Sequence, residues 1–284
     1  MITILIDWIS TTNKKRETLS NSTHTALLDG LWVECKGKNG YTLGQKHATG
    51  VRVYKNNDRP DMGQHTVYSG KTLSKIESDY KMRPIELLQY HMSEGHTVAR
   101  LDLAIDFKGY ETDVQDFVDA LNNGNAVTRL RSATVVNSLT GGGQTLYIGS
   151  MKKRKNLIRI YDKGAENGTG ADWVRVELQI MGKKATSTAR DISDCDDFEG
   201  TVLSVIKSIV NFPTVTVWKK LMSDQLEYSM KPVSKQIGDT EKWIMKQVLP
   251  ALARTIVLDI DFWVQFKYSL QMEIAPEIRD KVEW

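Results

Sequence analysis

The sequence predicts an α+β fold, in which helices pack on one face of an antiparallel sheet, followed by a mainly helical C-terminal portion. Segments with strand-like alternation of apolar and polar residues occur in runs, and helical segments separate these runs. Past residue 185 the apolar residues recur mainly at helical spacing. We therefore expect a sheet domain over residues 1–185 and a mainly helical portion over residues 186–284.

The composition is that of an ordinary globular protein. The 284 residues are 40% hydrophobic and 26% charged, and no apolar run approaches the 18 residues typical of a membrane span. Residues 2–8 lack the basic start of a signal peptide and are interrupted by Asp7, so they predict a first strand. Cys35 and Cys195 do not make a disulfide framework, which favours a reducing cytoplasm.

Further elements follow in order along the chain. Short strands bounded by turn residues are expected at 31–35, 50–54, 65–69, 133–137 and 145–149. Helices are expected from Pro84 to Gly95, and after the capping-box pattern at residues 112–115 up to Asn123 and Gly124. In the C-terminal portion, the sequence predicts helices over 201–212 and 239–268 and a short strand over 214–218 between them. The second helix is expected to be broken near Pro250.

Two adjacent strands joined by a turn-rich linker carry an unusual polar face. Residues 157–163 and 174–180 both alternate, and residues 164–170 between them are rich in glycine. The polar positions of these strands are Arg159, Tyr161, Lys163, Arg175, Glu177 and Gln179. A tyrosine between two cations, facing a carboxylate, is unusual for a face that is only solvated.

A third strand, residues 98–107, places Arg100, Asp102 and Asp106 on one side and apolar residues on the other. Aspartate is disfavoured in strands, so two aspartates on one face need an explanation. Cross-strand salt bridges on a solvated face are one explanation. The other is a carboxylate cluster that holds a hard divalent cation beside a nucleophilic tyrosine.

The net charge of +3 does not by itself indicate a polyanionic partner, but the charge is unevenly placed. Residues 151–184 carry nine Lys and Arg against four Asp and Glu. This excess includes the run Lys152, Lys153, Arg154 and Lys155. Such a run is either a solvated loop or a place where phosphates bind.

Four stretches of the chain together resemble the motifs of the replication initiation factor family. In order, they are residues 99–107 (ARLDLAIDF), 145–150 (TLYIGS), 159–166 (RIYDKGAE) and 175–178 (RVEL). Asp7-Trp8 and the segment from Trp243 to Leu252 also look similar to this family. Its members include initiators of rolling-circle plasmids and phages and related relaxases. The resemblance implies an antiparallel-sheet nuclease core and a nickase that cuts one strand at an origin with a tyrosine.

The resemblance also implies roles for individual residues. The nicking tyrosine would be Tyr161, with Arg159 and Lys163 beside it in the same catalytic string, and the metal ligands would be Asp102, Asp106 and Glu177. The five histidines contain no His-apolar-His pair, so carboxylates would bind the metal and Mg²⁺ or Mn²⁺ is favoured. DNA contacts are expected from Arg100, Lys152, Lys153, Arg154, Lys155 and Arg175.

The chemistry expected of Tyr161 follows from general principles. A phenol with a pKa near about 10 is a poor nucleophile at neutral pH, so we expect Arg159 and Lys163 to favour the phenolate. A metal would polarise the scissile phosphate. Attack would leave a 5′-phosphotyrosyl enzyme and a free 3′-hydroxyl, and a later transesterification would rejoin the strand.

Several alternatives remain open at this point. Tyr147 is a rival nucleophile, Glu166 is either a fourth ligand or a loop charge, and His65 is either a strand histidine or part of the site's rim. A conjugative relaxase with the same chemistry, a regulator that binds DNA without nicking it, and an α+β binding protein are alternative functions. Expected partners are an origin or nick-site hairpin, single-stranded where it is cut, a host helicase and a second copy of the chain, in a bacterial cytoplasm and without a membrane.

Overall fold

The architecture is described from a computed structural model. The described residues are 1–14, 28, 30–141, 143–152, 155–223, 241 and 244–273. The chain divides into two compact units, Met1–Lys231 and Pro232–Trp284. The sequence placed residues 186–231 with the C-terminal portion instead. They belong to the first unit because their helices complete its core, burying side chains such as Ile192, Val205 and Trp218 completely.

A ten-stranded antiparallel sheet forms the first unit. Its strands are β1 (Ile2–Asn13), β2 (Trp32–Lys36), β3 (Leu43–His47), β4 (Arg52–Lys55), β5 (Gln64–Ser69), β6 (Thr97–Lys108), β8 (Ala133–Asn137), β9 (Gln144–Ile148), β10 (Asn156–Asp162) and β11 (Trp173–Met181), while β7 (Val127–Thr128) pairs separately with β12 (Val210–Asn211). The order across the large sheet is β2-β3-β4-β5-β1-β6-β11-β10-β9-β8, and every neighbouring pair is antiparallel.

Helices occupy the connections between the strands. In the first unit they are a 3₁₀ turn (Pro60–Met62), α1 (Gly70–Tyr80), α2 (Pro84–Ser93), α3 (Val114–Asn122), α4 (Lys163–Glu166), α5 (Lys183–Ser193), α6 (Phe198–Ile209) and α7 (Thr216–Met222). The second unit contains a π-helix (Ile244–Val248), α8 (Leu249–Leu258) and α9 (Ile260–Glu273). No helix in the described ranges combines the length and apolar character needed to cross a membrane.

One face of the sheet, here called the core face, is covered by helices. Alternation in β6 places Leu101, Leu103, Ile105 and Phe107 on it, and all four are fully buried. Helix α5 packs against β6, and α6 contacts α5. Phe117, Phe212 and Trp218 meet edge to face, with ring centroids 5.0–6.2 Å apart, the geometry that aromatic pairs prefer. The other face of the sheet is free to carry polar groups.

The α+β class, the central strands and the helices that flank β6 agree with the sequence. Strand β3 and helices α1 and α5 were not expected, and residues 216–222 form a helix where a strand was predicted over 214–218. The capping box of α3 lies one residue later than its pattern suggested, because Asp113 caps the helix and Asp116 closes the box. Both cysteines are free thiols, as expected.

Candidate active site

A cavity of about 530 Å³ opens on the face of the sheet opposite the core face, which we call the cavity face. Residues of β1, β6, β9, β10 and β11 line it, together with the first residues of α1. Four acids and four cations contribute to its wall: Asp7, Asp102, Glu166, Glu177, Lys71, Arg100, Arg159 and Lys163. Tyr147 and Tyr161 line the same cavity, so both candidate nucleophiles face one space.

The strand register explains how these side chains meet. Residues directly opposite each other in antiparallel strands share a face. Tyr161 of β10 lies opposite Arg175 of β11, and Arg159 lies opposite Glu177 on one side and Tyr147 of β9 on the other. Gln179 lies opposite Asp102, which continues the polar face into β6. The alternation seen in the sequence therefore becomes one polar surface across four strands.

Tyr161 is surrounded by three charged side chains of the cavity. Its hydroxyl donates a hydrogen bond to Glu177 Oε2 at 3.4 Å. The Arg159 guanidinium carbon lies 4.9 Å from the centroid of the phenol ring, and Lys163 Nζ lies 5.5 Å from it. Both distances are within the range of cation–π attraction. The side chain is therefore fixed with its oxygen beside a carboxylate.

The environment of Tyr161 does not favour the phenolate, contrary to the expectation from its neighbouring cations. Burial raises the pKa of Tyr161 well above its ordinary value, and the charge of Glu177 raises it further. Arg175 and Arg159 lower it by less. Tyr161 is thus a neutral phenol at neutral pH.

Arg159 joins Tyr161 to Glu177. Its Nη2 donates to Glu177 Oε2 at 2.5 Å, the same oxygen that Tyr161 faces. Its Nε is buried without a hydrogen-bond partner among the described residues. A buried N–H without a partner is costly.

Asp102 lines the cavity and is only 1% exposed. Arg100 Nε donates to both of its carboxylate oxygens, at 2.9 and 3.0 Å, and the Arg100 guanidinium lies 4.4 Å from the centroid of the Trp8 ring. Burial raises the pKa of Asp102 to about 7; Arg100 opposes the shift, and the charges of Glu177 and Asp7 add to it. Three carboxylates therefore repel one another within this cavity.

Asp7 is a site residue that strand alternation did not identify. The pairing of β1 with β6 shifts between Ile6 and Trp8, so Asp7 is the extra residue of a β-bulge. A bulge re-aims side chains, and Asp7 faces the cavity and binds Arg175 Nη1 at 2.5 Å. Its pKa is raised, chiefly by burial. The resemblance at Asp7-Trp8 was the only sequence signal for it.

Asp106 and Arg175 do not line the cavity, although the sequence grouped them with the site. Arg175 donates to both oxygens of Asp106, at 2.6 and 2.7 Å, and only 6% of each residue is exposed. Arg175 of this buried pair also donates a hydrogen bond to Asp7. The arrangement does not fit the predicted roles of Asp106 as a metal ligand and Arg175 as a DNA contact.

The carboxylates of the cavity fit a hard cation by their chemistry. Asp7, Asp102 and Glu177 supply oxygen ligands of the kind that Mg²⁺ and Mn²⁺ prefer, and the raised pKa values of Asp7 and Asp102 reflect burial and close negative charge. Each is bound to an arginine instead: Arg175, Arg100 and Arg159, respectively. Within the described part of the chain, no three His, Cys, Asp or Glu side chains are already arranged as a metal site.

The remaining predicted residues lie around this centre. Lys163 is ion-paired with Glu166 at the start of α4, where a loop was expected. Lys152 and Lys155 are exposed, whereas Lys153 and Arg154 lie outside the described residues. His65 is buried in β5, hydrogen-bonded through Nδ1 to Thr12 Oγ1 at 3.0 Å, and does not line the cavity.

Comparisons with known proteins agree with this architecture. The model of the replication initiation factor family matches residues 96–269. A protein of Bacillus subtilis (strain 168) named "Putative DNA relaxase NicK" is 22% identical over 239 residues, which cover 74% of this chain and 68% of that protein. The solved structure of a rolling circle replication initiator protein from Geobacillus stearothermophilus superimposes with a TM-score of 0.65 at 22% identity, covering 81% of this chain and 94% of the other.

Proposed function

Since this chain belongs to the replication initiation factor family, we propose that it is a nickase that starts rolling-circle replication by cutting one DNA strand at an origin. The observation that carries the proposal is the hydrogen bond from Tyr161 to Glu177, made inside a cavity that four cations and four acids line. It pairs a nucleophile with a base, and the cations provide positive charge for a phosphate.

The proposed cutting step begins with a proton transfer. Glu177 Oε2 accepts the proton of the Tyr161 hydroxyl, and the phenolate oxygen attacks the scissile phosphorus. A bond forms between this oxygen and phosphorus while the bond from phosphorus to the 3′-oxygen breaks. The 3′-oxygen takes a proton from water, which leaves a free 3′-hydroxyl and a 5′-phosphotyrosyl enzyme.

Positive charge in the cavity would stabilise the transition state. Arg159 has a buried Nε without a partner in the described part of the structure, and this donor suits a non-bridging phosphate oxygen. Lys163 Nζ lies beside the ring of Tyr161 and would help to neutralise negative charge on the phenolate. The contact of Arg159 with the phosphate would strengthen as negative charge moves from the phenol to the phosphate.

Asp7, Asp102 and Glu177 would hold Mg²⁺ or Mn²⁺, which when bound supplies positive charge that polarises the scissile phosphate. Asp7 replaces Asp106 in this proposal, because Asp106 is committed to Arg175 outside the cavity. Arg100, Arg159 and Arg175 hold the three carboxylates in place. The negative charge of Glu177 raises the pKa of Tyr161, so a cation bound to Glu177 would also lower that pKa.

A conjugative relaxase is the second candidate function. The relative from Bacillus subtilis is named as a DNA relaxase, and cutting followed by rejoining serves replication and transfer equally. The phosphotyrosyl bond retains the energy of the phosphodiester, so a 3′-hydroxyl that attacks it rejoins the strand without ATP. The two functions share one site and differ in the DNA element they serve.

The experiment uses supercoiled DNA that carries the element's own origin, with Mg²⁺ or Mn²⁺, and denaturing electrophoresis followed by peptide mapping. We expect a nicked strand whose 5′ end is attached to the peptide containing Tyr161. Tyr161→Phe should abolish the adduct, and Tyr147→Phe is the matched control from the same cavity. Attachment at Tyr147 would keep the function and move the nucleophile, whereas DNA binding without an adduct would favour a regulator.

A further inference from the structure

One line of residues crosses the sheet beside the cavity. Strand register places Val33, Lys46, Arg52, Val67, Ser10 and Arg100 directly opposite one another, one from each of β2, β3, β4, β5, β1 and β6. The line continues through Met181 of β11, whose backbone N–H donates to the backbone carbonyl of Lys155 at 3.0 Å. Four of the residues along it are cations, and we call Lys46, Arg52, Arg100 and Lys155 the cation row.

The cation row lies on the cavity face. Directly opposite residues share a face, and Ser10 is two positions from Trp8, which lines the cavity. Arg100 belongs both to the row and to the cavity wall. With strands about 4.8 Å apart, the row reaches roughly 19 Å from Arg100 to Lys46. A ligand that leaves the cavity past Arg100 would therefore meet Arg52 and Lys46 next.

Lys46 and Arg52 form an unfavourable pair in the absence of a ligand. They lie directly opposite each other in β3 and β4, and both are exposed. Like charges in this arrangement destabilise a sheet. Neither has an ion-pair partner among the described residues, and the cavity-face positions of β2, β3, β4 and β5 contain no acid. A bound polyanion would remove this repulsion.

Apolar side chains also lie along this line: Val67 next to Arg52, Met181 next to Arg100, and Val33 next to Lys46. Val33 is 53% exposed and Met181 38%, and Val67 is partly exposed beside Arg52. A line that contains both cations and apolar groups matches a single strand of nucleic acid, whose phosphates and base faces are both accessible. A duplex stacks its base faces against one another, and so could not use the apolar positions.

We propose that the cation row binds the single-stranded DNA that flanks the cut site, with Lys46 and Arg52 each contacting a phosphate. This inference rests on the proposed function, because it extends the path of the strand that Tyr161 would cut. It assigns DNA binding to β3 and β4, far along the chain from the basic run at residues 152–155.

The test measures the binding of a fluorescein-labelled oligothymidylate by anisotropy over a series of KCl concentrations. Each phosphate contact on a single strand contributes about 0.7 to the salt slope of log K, so Lys46→Ala with Arg52→Ala should lower its magnitude by about 1.4. Each single variant should lower it by about 0.7. The rate of nicking at saturating DNA should not change, because neither residue lines the cavity.

The matched control removes two exposed lysines that lie off the cavity face. Lys36 projects from the opposite face of β2, and Lys219 lies in α7, which packs through Trp218 into the core. Lys36→Ala with Lys219→Ala changes the net charge equally and should leave the slope unchanged. An equal loss of slope in both double variants, or a loss in neither, would overturn the inference. Nicking by the wild-type protein would still uphold the proposed function in that case. A wild-type protein that neither nicks nor binds would overturn both.

Discussion

At the scale of single residues, Glu177 has two opposite effects on Tyr161. Its charge raises the pKa of the phenol, which makes the nucleophile harder to ionise, while its Oε2 is placed to accept the phenolic proton. These effects are compatible because a base must compete for the proton that it removes. Arg159 donates a hydrogen bond to the same oxygen. The reactivity of Tyr161 therefore depends on which positive groups neutralise the charge of Glu177.

Glu177→Gln tests the proposed base. Glutamine keeps the shape of the side chain and a hydrogen bond to Tyr161 but cannot take its proton, so nicking should fall by roughly 10² to 10⁴-fold. Binding of origin DNA should change little. Initial rates of nicking and a binding titration check the two expectations, with Gln179→Ala as a control from the same strand and cavity. Nicking by the Glu177→Gln variant at the wild-type rate would exclude Glu177 as the base.

The raised pKa of Asp102 predicts how stability depends on pH. Its pKa is about 7 in the folded protein and near 3.8 in the unfolded chain, so between these values the folded state binds more protons. The free energy of unfolding contributed by this group is therefore complete below about pH 4 and is lost as the pH rises through about 7. In the Asp102→Asn variant the side chain cannot titrate, and its amide mimics the protonated acid.

Denaturant unfolding of the wild type and of Asp102→Asn between pH 5 and pH 8 checks this prediction. The wild type should lose stability relative to the variant as the pH rises, by at most about 1.4 kcal/mol per pH unit. Mg²⁺ should reduce the dependence if Asp102 binds it, because a cation favours the ionised acid. A difference that stays constant across the pH range would contradict the raised pKa.

Strict alternation identified the side chains that uninterrupted strands place on one face. Arg159, Tyr161, Glu177 and Asp102 all line the cavity, since an uninterrupted strand fixes the direction of every second residue. Two consequences of packing could not be predicted in this way. Burial decides the pKa of Tyr161 more than the neighbouring cations do, and Asp106 is withdrawn from the cavity by its buried pairing with Arg175.

At the scale of elements, the bulge in β1 and the start of α1 form one unit. A Cβ at Gly70 would overlap Asp7 Oδ1 and would lie 3.1 Å from the carbonyl oxygen of the same residue, so only glycine allows the helix to begin against Asp7. Neither feature follows from periodicity. A bulge inserts one residue and reverses the alternation, and Ser69 at the N-cap makes no side-chain capping hydrogen bond.

Gly70→Ala should displace Asp7 from its position in the cavity. The change gains up to about 1 kcal/mol of helix propensity, yet the added methyl overpacks the junction at a cost of about 1–3 kcal/mol. We expect a lower midpoint of thermal unfolding and slower nicking. Ser74→Ala, at an exposed position of the same helix, is the control and should change stability by less than about 0.5 kcal/mol. Equal midpoints for both variants would show that the junction is not tightly packed.

At the scale of the whole molecule, the boundary between the two units shows which helices fold together with the sheet. The sequence suggested that the sheet domain ends at residue 185, since strands stop there and helical spacing begins. Helices α5, α6 and α7 nevertheless complete the core of the first unit, with Ala189, Ile206 and Trp218 fully buried. A change of secondary structure along a chain does not mark a change of domain when the new elements cover an apolar face.

Two truncations distinguish these boundaries. A chain ending at Lys231 keeps every residue that lines the cavity, so it should unfold cooperatively and form the Tyr161 adduct on a single-stranded oligonucleotide that carries the cut site. A chain ending at residue 185 exposes the core face that α5, α6 and α7 cover, and large buried aromatics each contribute several kcal/mol. It should lack a cooperative transition in circular dichroism and form no adduct. If the shorter chain folded and nicked as well as the longer one, the three helices would be an appendage to the sheet rather than its second layer.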